Sequence, residues 1–239
     1  MNKFKELNIF LSMKIFLKKH LIIFILVLIM GGVSIFYGSI KNVWVSKSNG
    51  ITIVLDAGHG GRDGGSVGVN GTIEKEINLT YTLALKEKLS ESGYKVVLTR
   101  SSDNGLYSEL ATNKKVSDMN ARMKVIKQAN PNLVISIHMN SFFDSSIKGA
   151  MCYYKVDDQA SKQCGDLIQQ SLKEYCNAKL SRAKEGDYFM LNCSYYTSVL
   201  IECGFLSNAE EEAMLKTEAY KNKFVEAVSN GLLLYFGNY

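Results

Sequence analysis

The sequence predicts an α/β protein, a single β-sheet with helices on both faces, preceded by an N-terminal transmembrane helix. Three observations carry this. Short apolar runs rich in β-branched residues recur through residues 51–239, among them ITIVL from Ile51, LVISI from Leu133 and SVLI from Ser198. Longer segments with apolar residues four apart separate these runs, as helices between strands require. The runs are apolar throughout instead of alternating with polar residues, which marks strands covered on both sides.

The N-terminus comes first in chain order. Residues 1–20 are basic, and from Leu21 to Ile40 there are twenty residues without a charge, LIIFILVLIMGGVSIFYGSI. That is long enough to cross a hydrocarbon core at about 1.5 Å per residue. Five lysines precede the run and two follow it before Gly50. The positive-inside rule therefore puts residues 1–20 in the cytoplasm and the remainder outside. No small-x-small cleavage site follows the run, which favours an uncleaved signal anchor over a removed signal peptide. Residues 41–50 form a tether, and 51–239 form one domain without internal repeats.

Within that domain, Ile51 to Leu55 is the first strand, and the glycine-rich DAGHGGRDGG that follows cannot continue it. Ile73, Ile77, Tyr81, Leu85 and Leu89 mark the buried stripe of a helix over 74–92, closed by Gly93. Residues 95–99 are a second strand. A helix over 117–129 stops at Asn130-Pro131. The third strand, 133–137, ends on His138, and 148–156 is a fourth. A helix over 159–176 follows. Residues 177–196 show no period but carry Tyr188, Phe189, Tyr195 and Tyr196, a loop or short strand bordering a site. The strand 198–201 runs into Glu202, and helices over 208–216 and 218–236 close the chain.

Charge removes one class of function. Residues 1–50 hold seven lysines against Glu6, so the net charge of +5 belongs to the N-terminal segment and the domain is near neutral. A near-neutral domain without a basic cluster is no nucleic-acid binder. Five cysteines, an odd number with no C-x-x-C pair, read as small buried hydrophobes and not as a disulfide framework.

Three strands run straight into a reactive residue: LDAGHGG at His59, VISIHMN at His138 and VLIECGF at Glu202. Ligands of open α/β sheets gather at the carboxyl ends of strands, so these endings converge if the strands are neighbours. Two imidazoles and a carboxylate are a ligand set for catalytic zinc with an open position. Glu74, at the start of the helix leaving the glycine loop, is the best third ligand, with Asp63 its competitor. Glu202 then serves either as a ligand or as the group that moves the proton of the attacking water. With His59, Glu74 and His138 filling three positions, the second role is assigned to it. Cys203 points to the opposite side and into packing. Arg100 and Arg122 are structural, pairing with acids or capping carbonyls, and His20 has no role.

The run LDAGHGGRDGG, Glu74 fifteen residues after His59, SIHMNS at 136–141 and VLIECGFLSN at 199–208 together resemble the zinc-dependent N-acetylmuramoyl-L-alanine amidases of bacterial cell-wall metabolism. The resemblance spans about residues 51–236. It implies a single twisted, mostly parallel sheet, Zn2+ on His59, Glu74 and His138, and Glu202 as catalytic residue. It also implies hydrolysis of the amide joining muramic acid to L-alanine in peptidoglycan, with the catalytic domain on the extracytoplasmic side, in the cell envelope or the spore intermembrane space. The compact build resembles the germination-specific, spore-cortex members, and an accessory protein is left open. Thr197 or Ser198 stands where these enzymes often carry proline, which bears on loop shape and not on the ligands. No inserted blocking helix is visible, so no autoinhibition of that type is expected. The competing readings are a zinc carboxypeptidase acting on stem peptides and a non-catalytic, anchored wall-binding protein.

Overall fold

The computed structural model describes residues 14, 16–22, 25, 49–192 and 195–237. The residues from Ser46 to Tyr239 form one compact unit. Its strands are β1 (Thr52–Ala57), β2 (Lys95–Leu98), β3 (Leu133–Asn140), β4 (Met151–Lys155), β5 (Lys184–Gly186) and β6 (Ser198–Phe205). Its helices are α1 (Glu74–Glu91), α2 (Lys114–Ala129), α3 (Gln159–Cys176), α4 (Phe189–Asn192), α5 (Ala209–Leu215) and α6 (Glu218–Gly237).

The strands form one sheet in the order β2-β1-β3-β6-β4-β5. β2, β1, β3 and β6 are parallel, while β4 pairs antiparallel with β6 and β5 runs parallel to β4. The mostly parallel sheet expected from the sequence is therefore present, with two reversed strands at one edge. The chain steps outward from β1 to β2 and then returns across β1 to β3. Right-handed crossovers then place α1 and α2 on opposite faces, and a crevice opens where they part, at the carboxyl end of β1.

One face is the main core. Ile53, Leu55, Ile135, Ile137, Val199 and Ile201 pack there against Tyr81, Leu85 and Leu89 of α1, Ile168 and Leu172 of α3, and Phe224, Val228 and Leu232 of α6. Cys203 and Cys152 are in this core, so Cys203 does face away from the crevice. The other face carries a small cluster of Val54 and Val134 with Met123 and Ile126 of α2 and Met190 of α4. Its remaining contact is polar. Asp56 accepts hydrogen bonds from Thr99 Oγ1 (2.7 Å), Ser136 Oγ (2.6 Å) and Arg122 Nη1 (2.6 Å), and Arg122 Nε donates to Asp118 (2.7 Å).

Three expectations are corrected. No helix among the described residues is long and apolar enough to cross a membrane. A crossing needs about 20 consecutive apolar residues. The helical residues described near the N-terminus include Lys14, Lys18 and Lys19, and of 21–40 only Leu21, Ile22 and Ile25 are described. The rest of the expected anchor, and the tether up to residue 48, lie outside the described residues. Second, α2 begins at Lys114 and not at 117, because Asn113 caps it by accepting from Val116 N. Third, β3 runs on through Asn140 with an irregularity between His138 and Asn140, so His138 lies inside a strand and not after its end.

Candidate metal centre

His59 reaches the crevice because the backbone after β1 is forced into a tight path. Gly58 N still pairs with Ile137 O (3.0 Å), and His59 itself adopts φ 62°. A non-glycine residue in the left-handed region is held there by its surroundings. Two buried arginines do the holding. Arg100 donates to Ala57 O (2.9 Å) and Gly58 O (2.9 Å), and Arg122 donates to Ala57 O (2.7 Å) and to His59 O. The structural role expected for both is thus what they perform.

Two glycines make room for the rings. A Cβ on Gly58 would lie 2.3 Å from the His138 imidazole, and one on Gly65, at φ 69°, would lie 2.5 Å from Glu74 Oε2 and 2.7 Å from His59 Cδ2.

Glu74 opens α1, and its carboxylate is the hub. Oε1 lies 3.2 Å from His59 Nε2 and 3.0 Å from His138 Nδ1, and it accepts from Met139 N (3.2 Å) and Asn78 Nδ2 (3.2 Å). Oε2 accepts from Ser66 N (2.8 Å). The His59 and His138 rings stand edge to face with centroids 5.0 Å apart. The ligand atoms of His59, Glu74 and His138 all lie within 4.8 Å of one another, which is the spacing of groups that hold one ion. Asp63, the alternative third ligand, stands behind the cluster with Oδ1 2.9 Å from His59 Nδ1, although the Nδ1 alignment is not that of a hydrogen bond. A carboxylate behind a ligating imidazole orients the ring.

Glu202 lies on β6 directly opposite His138 of β3. The residue is 7% exposed, and its Oε2 has no hydrogen-bond partner among the described residues. Burial pushes its pKa up to about 7; His138 and His59 oppose that rise and Glu74 reinforces it. For Glu74 burial acts in the same upward direction, but the hydrogen bonds and charges of His138 and His59 outweigh it and hold the carboxyl far below its ordinary value. His59 is raised despite its burial, by Glu74 and then Asp63. One carboxylate stays ionised beside two imidazoles while the other takes up a proton near neutrality.

A divalent cation fits this donor set. Two imidazole nitrogens and a buried carboxylate oxygen face one another, and without a cation both rings need a proton to bond the same oxygen. All four residues expected at the site are brought together. Asn78 escaped the sequence reading: fully buried, it donates to Gly58 O (3.1 Å) as well as to Glu74. Its signal is a polar residue one turn after Glu74 on the inward side of the helix.

Residues 53–233 match the family model described as N-acetylmuramoyl-L-alanine amidase. The chain belongs to this amidase family. The germination-specific N-acetylmuramoyl-L-alanine amidase of Bacillus subtilis (strain 168) is 33% identical over 198 residues, 81% of this chain and 83% of the relative. Among solved structures, the CwlD amidase from Clostridioides difficile, in complex with the GerS lipoprotein, is similar at TM-score 0.73 and 38% identity, over 79% of this chain and all of that one. The catalytic domain of CwlV, an amidase from Bacillus (Paenibacillus) polymyxa var. colistinus, gives TM-score 0.68 and 30% identity over 78% and 98% of the two chains. The amidase is accordingly a hydrolase acting on peptidoglycan.

Proposed function

We propose that this amidase is a zinc enzyme of spore-cortex peptidoglycan, cutting the amide between the lactyl group of N-acetylmuramic acid and the first L-alanine of the stem peptide. His59, Glu74 and His138 are the ligands and Glu202 is the catalytic residue. The observation that carries the reading is the convergence of His59 Nε2 and His138 Nδ1 on Glu74 Oε1, with an unpartnered carboxylate on the adjacent strand. His59, Glu74 and His138 would hold the zinc, which when bound would supply Lewis acidity and a water of lowered pKa. Glu202 removes the proton of the attacking water and returns it to the leaving amine nitrogen of L-alanine, a task suited to a carboxyl that changes state near pH 7. Asp63 and Asn78 keep His59 and Glu74 in orientation. The spore-cortex assignment is supported by the likeness to the germination-specific relative, and a working site on the extracytoplasmic side is part of the same proposal, in keeping with a peptidoglycan substrate. By likeness to the amidase found with GerS, an accessory protein belongs to the same reading.

The test is digestion of cortex and vegetative peptidoglycan by the purified protein, with and without a zinc chelator. Chelator-sensitive release of L-alanine amino termini, with bare muramic acid in the mass spectra, is the expected result. Shortened stem peptides, or release that the chelator does not affect, would overturn it.

A further inference from the structure

Beside the His59 loop lies a cleft of about 430 Å³, between the turn at 60–63 and the start of α2, with Arg62, Tyr107, Lys114 and Lys115 in its walls. The turn is closed on itself, Gly60 N donating to Asp63 O (2.9 Å) and Asp63 N to Gly60 O (3.2 Å), and Gly61 N ties it to Asp103 O. The backbone that carries Arg62 is therefore pinned, three residues from His59.

The acids around this cleft are already committed. Asp63 is engaged by Lys115 and His59, and Asp118 by Arg122 Nε (2.7 Å) and Leu106 N. Glu109, which feels the charge of Arg62, is paired with Lys114, and Lys114 lies 5.1 Å above the Tyr107 ring. Arg62 is exposed and forms no hydrogen bond or ion pair with any described residue. The other end of the sheet differs in character. Past Glu202 of β6, Tyr153 of the neighbouring β4 and Tyr188 meet edge to face, with centroids 5.1 Å apart and both rings half-exposed, and neither carries a charge.

The two sides of the scissile amide differ in the same way. The acetamido sugars of the glycan are neutral, whereas the stem peptide beyond L-alanine carries carboxylates. We propose that the cleft beside the His59 loop binds the acidic stem peptide, with Arg62 clamping the carboxylate of the residue that follows L-alanine. A guanidinium presents two parallel N–H donors to a carboxylate, and on a backbone that is already fixed only the side chain has to be ordered on binding. The proposal rests on the amidase reading above and adds to it the direction in which the substrate lies.

The experiment uses the full chain loaded with zinc and two muramoyl dipeptides, with the α-carboxylate of the residue after L-alanine either free or amidated. The unaltered protein should prefer the free acid by about tenfold in kcat/KM, the effect of one charged hydrogen bond. Arg62→Gln should erase that preference through KM for the acid, and Arg62→Lys should restore part of it. No preference in the unaltered protein, or one that survives Arg62→Gln, overturns the proposal. Calorimetry with the free stem tetrapeptide reads the cleft without turnover. Weaker binding by Arg62→Gln supports the assignment even if the amidase reading fails, and equal binding refutes it.

Discussion

Replacing Glu202 by Gln should weaken catalysis and strengthen the fold at the same time. The carboxylate is buried, and its Oε2 has no partner among the described residues. Its pKa is displaced from 4.5 to about 7 in the metal-free protein, so the folded state holds the proton more tightly than the unfolded chain does. The contribution of such a group is fully present below pH 4.5 and is lost as pH rises through 7. At about 1.4 kcal/mol per pH unit, the loss at pH 8 amounts to about 3 kcal/mol. Glutamine keeps the shape without the charge. The chelator-treated Glu202→Gln protein should therefore be more stable than the unaltered one by about 3 kcal/mol at pH 8, an upward Tm shift of roughly 6–12 °C for a domain of this size. The gap should close as pH falls below 5. Urea unfolding at pH 4.5, 6, 7 and 8 reads the difference directly. With zinc restored, loss of the proton-moving group should reduce kcat by about 10²–10⁴. A variant no more stable than its parent at pH 8, or one retaining full kcat, would refute the picture of an unpartnered, catalytically retained carboxylate.

Four further outcomes test the scaffold of the site. Arg122→Met leaves Asp56 buried without its cation and should cost about 3–5 kcal/mol in urea unfolding, and a cost below 1 kcal/mol would show that the network is dispensable. In the unaltered protein burial alone would raise Asp56, but Arg122, Ser136 and Thr99 hold it down at about 2, so about 2 kcal/mol should be lost as pH falls from about 5 to about 1. Gly65→Ala forces a Cβ to within 2.5 Å of Glu74 Oε2 at a positive φ, and bound zinc measured by atomic absorption should fall below one ion per chain, while full occupancy would mean that the loop relaxes freely. Asn78→Ala removes a donor to Glu74 and to Gly58, and zinc affinity measured by chelator competition should drop about 10–100-fold, with unchanged affinity counting against an orienting role.

What the chain alone determines here is mostly local. Ile51 to Leu55 ending at DAGHGG, Leu133 to Ile137 leading to His138, and Ser198 to Ile201 leading to Glu202 can be read because a buried apolar run and the polar residue that interrupts it lie within a few residues, although β3 and β6 continue past His138 and Glu202. Glu74 at the head of α1 can be read for the same reason, from the four-residue stripe that follows it. The neighbourhood of those ends is another matter. His138 meets Glu74 across 64 residues of sequence, and only the order β1-β3-β6, fixed by the handedness of the crossovers and by which faces are apolar, brings the two side by side. The same packing sets Asp63 behind the cluster, buries Asn78 beneath it and reverses β4 against β6. It also leaves Glu202 Oε2 without a partner among the described residues, since whether a carboxylate is solvated depends on which distant segments close around it. A run of twenty uncharged residues suggests a membrane crossing by composition, but a crossing also needs a continuous helix, and none of sufficient length is found among the described residues.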